Sequence, residues 1–217
     1  MRKTWPLYAT HEEDVQLRKE SWNEIFTILK RERIVMHDNT DAARLMKASD
    51  PEMQRATWSK YYSGCVGKGG IACQLCGWTE TLELCTGAID DSAYIETVQI
   101  LRLQDEFAKN DSTSERPFTN IFDKGYRCIL AALEQGLQLC LQPSFAQSDR
   151  KFSTNNVHHS AGVAPIRSGN ERAVRQAKMS WMVKRGCTYH QPWDLEMQCD
   201  IWLAWGFQIN FMYDAVH

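Results

Sequence analysis

Charge of one sign is scarce in this chain: 25 Lys and Arg stand against 27 Asp and Glu, a formal net charge of −2 over 217 residues. That balance excludes the global basic field that marks many nucleic-acid binders, so such binding would need a local patch. Long apolar runs are also missing. The most apolar stretch, 199–213, is broken by Asp200, Gln208 and Asn210, too short and too polar to span a bilayer. The opening residues, Met1-Arg2-Lys3-Thr4-Trp5-Pro6, lack the apolar core of a secretory signal. HExxH, GxSxG and GxGxxG are absent, which removes the common metalloprotease, hydrolase and dinucleotide-binding signatures. These absences predict a soluble, cytoplasmic protein with no membrane partner, a binding or structural module rather than an enzyme.

What is present reads as helical. Thr10 and Glu13 form a capping box. Val15, Trp22, Ile25, Phe26 and Leu29 follow at helical spacing, giving a helix over 11–31. A looser segment, 34–40, leads to a short helix from Asp41. Ser49, Pro51 and Glu52 predict a helix reaching Tyr62, with Met53, Ala56 and Tyr61 inward. Asp90, Asp91 and Ser92 offer cap oxygens to a helix running to about Lys109. Residues 118–142 predict a long helix, 143–169 a long polar loop, and Ser168 to Glu171 the start of another helix. Pro192 introduces a last helix over 193–213, apolar nearly all round, with Ile201, Trp202, Trp205, Ile209 and Met212. The predicted fold is all-α: a single-domain bundle of about six helices over 1–217, with a Gly/Cys-rich insert at 63–87.

That insert carries the candidate chemistry, holding four of the eight cysteines and six of the twelve glycines. Cys73 and Cys76 have the spacing of a metal knuckle, in which two thiolates face one tetrahedral ion and Gly77 lets the backbone turn. Zinc needs four ligands. Cys65, Cys85 and the pair Cys187 and His190 are the candidates to complete the set, and the metal would act as a zinc staple fixing the glycine loop against the helices. The competing reading is that these cysteines are small buried hydrophobes.

Gly67-Lys68-Gly69-Gly70 also reads as a loop whose bare amides and lysine would cradle a phosphate. Val66 to Gly70 resembles the GxxG loop of the KH nucleic-acid-binding family, and Thr86-Gly87-Ala88 with Asp90 resembles the turn after that family's second helix. The resemblance implies a nucleotide backbone clamped by Gly67 to Gly70 with Lys68 against phosphate. Arg172, Arg175 and Lys178, followed by Lys184 and Arg185, form the best basic patch, suited to a nucleic-acid or protein partner or simply to a solvated face. His158-His159 with Gly162, Val163 and Pro165 is similar to the proximal-histidine segment of globins, which implies His159 as an axial haem ligand. The even spread of rare residue types also suits an artificial or strongly diverged chain without a biological role.

Overall fold

Glycine-rich residues 64–74 are not a loop but an interior strand of a sheet, and this changes the fold class. The computed structural model describes residues 34–74, 77–98, 104, 119–123, 125–126, 139–142, 153–179 and 195–212. Along these the chain forms β1 (Ile34–Arg44), α1 (Pro51–Thr57), β2 (Trp58–Ser59), β3 (Gly64–Gln74), β4 (Thr79–Thr81) and β5 (Cys85–Thr86). It continues as α2 (Asp91–Val98), β6 (Thr119–Ile121), β7 (Leu139–Leu141), α3 (Thr154–Ala177) and α4 (Leu195–Met212). The all-α, six-helix bundle is therefore wrong: the protein is α/β, with helices packed on a mixed sheet.

The sheet runs β2-β3-β1-β6-β7, and β4 and β5 also pair with β3. β1 and β3 are antiparallel from Val35↔Gln74 to Arg44↔Val66, with a register shift between Asp41 and Ala43. On its other edge β1 runs parallel to β6, which runs parallel to β7. The outer edge of β3 is covered in pieces by β2, β5 and β4. Where β4 ends and β5 has not begun, the Tyr94 hydroxyl closes the gap: it accepts from Gly70 N at 2.6 Å and donates to Glu83 O at 2.6 Å.

The glycines of β3 exist because neighbours approach closely from both faces. A Cβ on Gly69 would lie 2.8 Å from Trp202 Nε1 and 2.9 Å from Ala42 Cβ, and one on Gly70 would lie 2.6 Å from Tyr94 Cε1. Glycine weakens a strand's own propensity, yet here it admits a tryptophan and a tyrosine against the backbone. Ile34, Met36, Ile71 and Cys73 on one face of the sheet pack with Ala173 and Ala177 of α3 and Trp202 and Ile209 of α4. α4 is also tied to β4 by polar bonds. Thr79 N donates to Asn210 Oδ1 and Asn210 Nδ2 donates to Thr79 O, both at 2.7 Å, while Thr81 Oγ1 donates to Trp202 O at 3.1 Å.

Several predicted elements change with the fold class. Residues 34–44 are one strand, not a loose segment and a short helix. Asp50, rather than Ser49, caps α1 by accepting from Met53 N at 2.7 Å, and the helix stops at Thr57 instead of reaching Tyr62. β6 and β7 stand inside the predicted helix over 118–142. Residues 154–169, predicted as loop, belong to α3. The last helix is found where the sequence places it, and Asp90 does cap α2, accepting from Ala93 N at 2.8 Å. The first helix, over 11–31, lies outside the described residues, as does most of 99–118. Among the described residues no helix is long and apolar enough to cross a membrane.

Candidate functional site

A cavity opens where α1, β2 and the turn after it meet the loop leading to α2. It measures about 660 Å³ and is lined by Gln54 and Arg55 of α1, Trp58 and Ser59 of β2, Lys60, Tyr61, Lys68 and residues 87–89. This lies within the usual range of small-molecule sites, roughly 300–1,000 Å³. Three of the ten lining side chains are cationic, two are large aromatics and none is acidic.

Local sequence explains how the walls are held. β2 starts the moment α1 ends, so Arg55 of the last helical turn and Trp58 of the strand come to one rim. Ser63, with φ 50°, adopts the left-handed conformation at the end of the turn before β3. Gly87 permits the opposite wall to press in: a Cβ there would lie 2.6 Å from both Thr57 O and Val66 Cγ2. Ala88 N donates to Ala56 O at 3.0 Å, joining that wall to α1.

Lys68 projects from β3 toward α2, where Nζ donates to Ile89 O at 2.6 Å and to Asp91 Oδ1 at 3.0 Å. Asp91 also accepts from Asn39 Nδ2 at 2.9 Å. Lys68 thus anchors the wall, and its charge is largely compensated. Arg55 and Lys60 are exposed and have no carboxylate partner among the described residues. They are the cations free to meet an anion.

The aromatic residues at this rim are conspicuously uncovered. Tyr61 is 86% exposed, Tyr62 42% and Trp58 39%. Tyr61 stands edge-on to Tyr62, with ring centroids 4.7 Å apart and planes at 80°. Tyr62 stands beside Asp41, and burial together with that negative charge pushes its pKa up to about 12. Lys178, beyond the end of α3, pairs with Asp41 and holds its Nζ 5.7 Å from the centre of the Tyr62 ring.

The residues singled out in the sequence divide accordingly. Lys68 lines the cavity, but Gly67, Gly69 and Gly70 lie inside β3, paired with β1 or bonded to Tyr94, so no glycine loop is there to clamp a phosphate. The predicted inward Tyr61 is instead the most exposed large hydrophobic described, and Met53 is exposed too. Arg172, Arg175 and Lys178 lie along α3 and its end, with Lys178 brought to Tyr62. His159 falls on α3 rather than in a polar loop, in a protein whose sheet removes the all-helical frame of a globin.

The metal-binding expectation is corrected as well. Among the described residues, no three His, Cys, Asp or Glu side chains are grouped to hold an ion. Cys65 and Cys73 stand on one strand eight residues apart, which at about 3.3 Å per residue separates them by roughly 26 Å. Cys73 is buried among core residues, donates to Gln74 O at 3.4 Å, and has its thiol pushed by burial up to about 11, against the thiolate a zinc ion needs. Cys85 stands in register with Lys68 on β5. Cys76, Cys187 and His190 lie outside the described residues. Asp90 and Asp91 are occupied as a helix cap and a lysine partner.

Arg55, Trp58, Lys60, Tyr61 and Tyr62 were not singled out by sequence reasoning. The signal was there: from 55 to 62 the chain intermixes two cations with three aromatics. A predicted helix through Tyr62 obscured it by assigning Tyr61 to the core. Comparison with protein-family models, curated proteins and solved structures returned no match for this chain.

Proposed function

We propose that the protein is a binding protein for a nucleotide-class ligand, one that joins a phosphate to a flat ring. The observation that carries this reading is the cavity lining: Arg55, Lys60 and Lys68 beside Trp58 and Tyr61, with no acidic side chain among them. Phosphate would be met by Arg55 and Lys60. Arginine offers a planar fork of donors matched to phosphate oxygens, and lysine a mobile point charge. The base would stack on Trp58 or Tyr61, since every nucleobase has a π-face and an exposed aromatic ring supplies its partner. A net charge of −2 does not oppose this, because the relevant field is local.

The test uses a fluorescein-labelled thymidine tetranucleotide and anisotropy on the full chain. Binding should weaken as salt rises, with a slope of about −0.7 per phosphate contacted. The double substitution Arg55→Glu with Lys60→Glu should lower affinity at least tenfold, while circular dichroism stays unchanged because both side chains are exposed. Affinity that ignores both salt and this substitution would reject the reading.

A further inference from the structure

Resting on that reading of the cavity, we propose that the ligand is a single strand of nucleic acid longer than the cavity. It leaves over Tyr61 and Tyr62 and follows the cationic side of α3 past Lys178, Arg175 and Arg172. A mononucleotide would use the cavity alone. The surface outside it continues the same chemistry, and the structure shows how the two parts connect.

Tyr61 is the link at the rim. It lines the cavity, keeps 86% of its surface exposed, and among the described residues has its ring contact with Tyr62, edge-on. A ring held at its edge with its faces in solvent can take a base. Tyr62 is the link to the helix: its ring lies under the Lys178 ammonium, which pairs with Asp41 of β1. The turn after β2, the bulged part of β1 and the end of α3 therefore meet at this side chain.

The direction of α3 sets the rest of the path. Its Gly169 lies against Met36 and Lys178 reaches Asp41, so the helix runs alongside β1 with its C-terminal end at the tyrosines. Lys178, Arg175 and Arg172 recur every third residue, on neighbouring positions of the helix surface, over about 9 Å of axis at 1.5 Å per residue. Arg172 and Arg175 are exposed and have no ion-pair partner among the described residues. Asp41 and the exposed Glu171, one turn before Arg175, are the acids beside this route among the described residues, and Lys178 compensates Asp41. The juxtaposition supplies rings at the cavity rim and cations along the helix, which suit a polymer of bases and phosphates.

The experiment compares the thymidine tetranucleotide with a thymidine dodecanucleotide, both fluorescein-labelled, on the full chain. The longer strand should bind at least tenfold tighter, with a steeper salt dependence. Arg172→Glu with Arg175→Glu should weaken the dodecanucleotide at least fivefold and leave the tetranucleotide unchanged, whereas Arg55→Glu with Lys60→Glu should weaken both. Equal affinity for the two lengths, or a dodecanucleotide indifferent to the α3 charges while the cavity substitutions still act, would overturn the extended path and leave the cavity reading standing. Failure of both strands to bind would remove the cavity reading and the path with it. Vesicles containing phosphatidylserine serve as the third probe. Retention on them that depends on Arg172 and Arg175, with no dodecanucleotide binding, would assign the surface to a membrane and overturn the proposal.

Discussion

His37 and Glu80 face the same side of the sheet, in register across Ala72, and burial moves them in opposite directions. His37 is buried against Phe122, with ring centroids 4.8 Å apart, and its Nε2 lies 2.7 Å from Asn120 Oδ1. Burial lowers its pKa from 6.5 to about 4. Glu80 is partly exposed as a residue, but its Oε2 is enclosed and has no hydrogen-bond partner among the described residues, and burial raises its pKa from 4.5 to about 8.

The signs follow from which state holds the proton. Between pH 4 and 6.5 the unfolded chain binds a proton at His37 that the folded chain does not, so stability rises with pH. Between pH 4.5 and 8 the folded chain keeps a proton on Glu80 that the unfolded chain releases, so stability falls with pH. Each slope is at most about 1.4 kcal/mol per pH unit. From pH 4.5 to 6.5 the two cancel; from 6.5 to 8 Glu80 acts alone and removes up to about 2 kcal/mol.

Glu80→Gln should abolish the alkaline loss and leave a rising slope between pH 4.5 and 6.5. His37→Gln should leave a continuous fall from pH 4.5 to 8. The assay is urea unfolding at half-unit pH steps, read as variant minus wild type so that other titrations cancel. Difference curves that are flat within about 0.5 kcal/mol from pH 5 to 8 would refute the reasoning, because buried groups with displaced titration must give a slope.

Two further substitutions probe the sheet. Gly206→Ala, which would ordinarily stabilise a helix interior by about 1 kcal/mol, should here destabilise by roughly 1–3 kcal/mol, because the new methyl would meet Thr81 where α4 crosses β4; a raised midpoint in thermal unfolding would contradict that crossing. Tyr94→Phe should cost about 1–3 kcal/mol by leaving Gly70 N without its hydroxyl partner at the gap between β4 and β5, and hydrogen exchange at Gly70 that stays as slow as in the wild type would contradict it.

Features whose cause is local were legible in the chain before any folding was considered. The final helix declares itself through length and an apolar composition that no short strand needs, and it is found as Leu195–Met212. Asp90 and Pro51 act within a single turn, so a helix start is legible at each. The sheet was decided by tertiary structure. β1 is buried for most of its length, so the alternation that marks a one-sided strand is missing. β6 and β7 are three residues each, too short for any period to show. β3 carries glycines that oppose strand formation in isolation, and they make sense only once Trp202 and Tyr94, from distant parts of the chain, press on them.

The candidate site divides in the same way. Lys68, Arg172, Arg175 and Lys178 were legible as cations with a possible anionic partner, and the mixture of rings and charges from 55 to 62 was present to be read. What the sequence does not contain is the end of α1 at Thr57, which releases Tyr61 to solvent, and the meeting of Lys178 with Asp41 and Tyr62, which brings the end of α3 to the cavity rim. The first goes with β2 joining β3 directly after α1, and the second with β3 and β1 lying side by side, a pairing between residues 22 to 39 apart that no local window of the chain records.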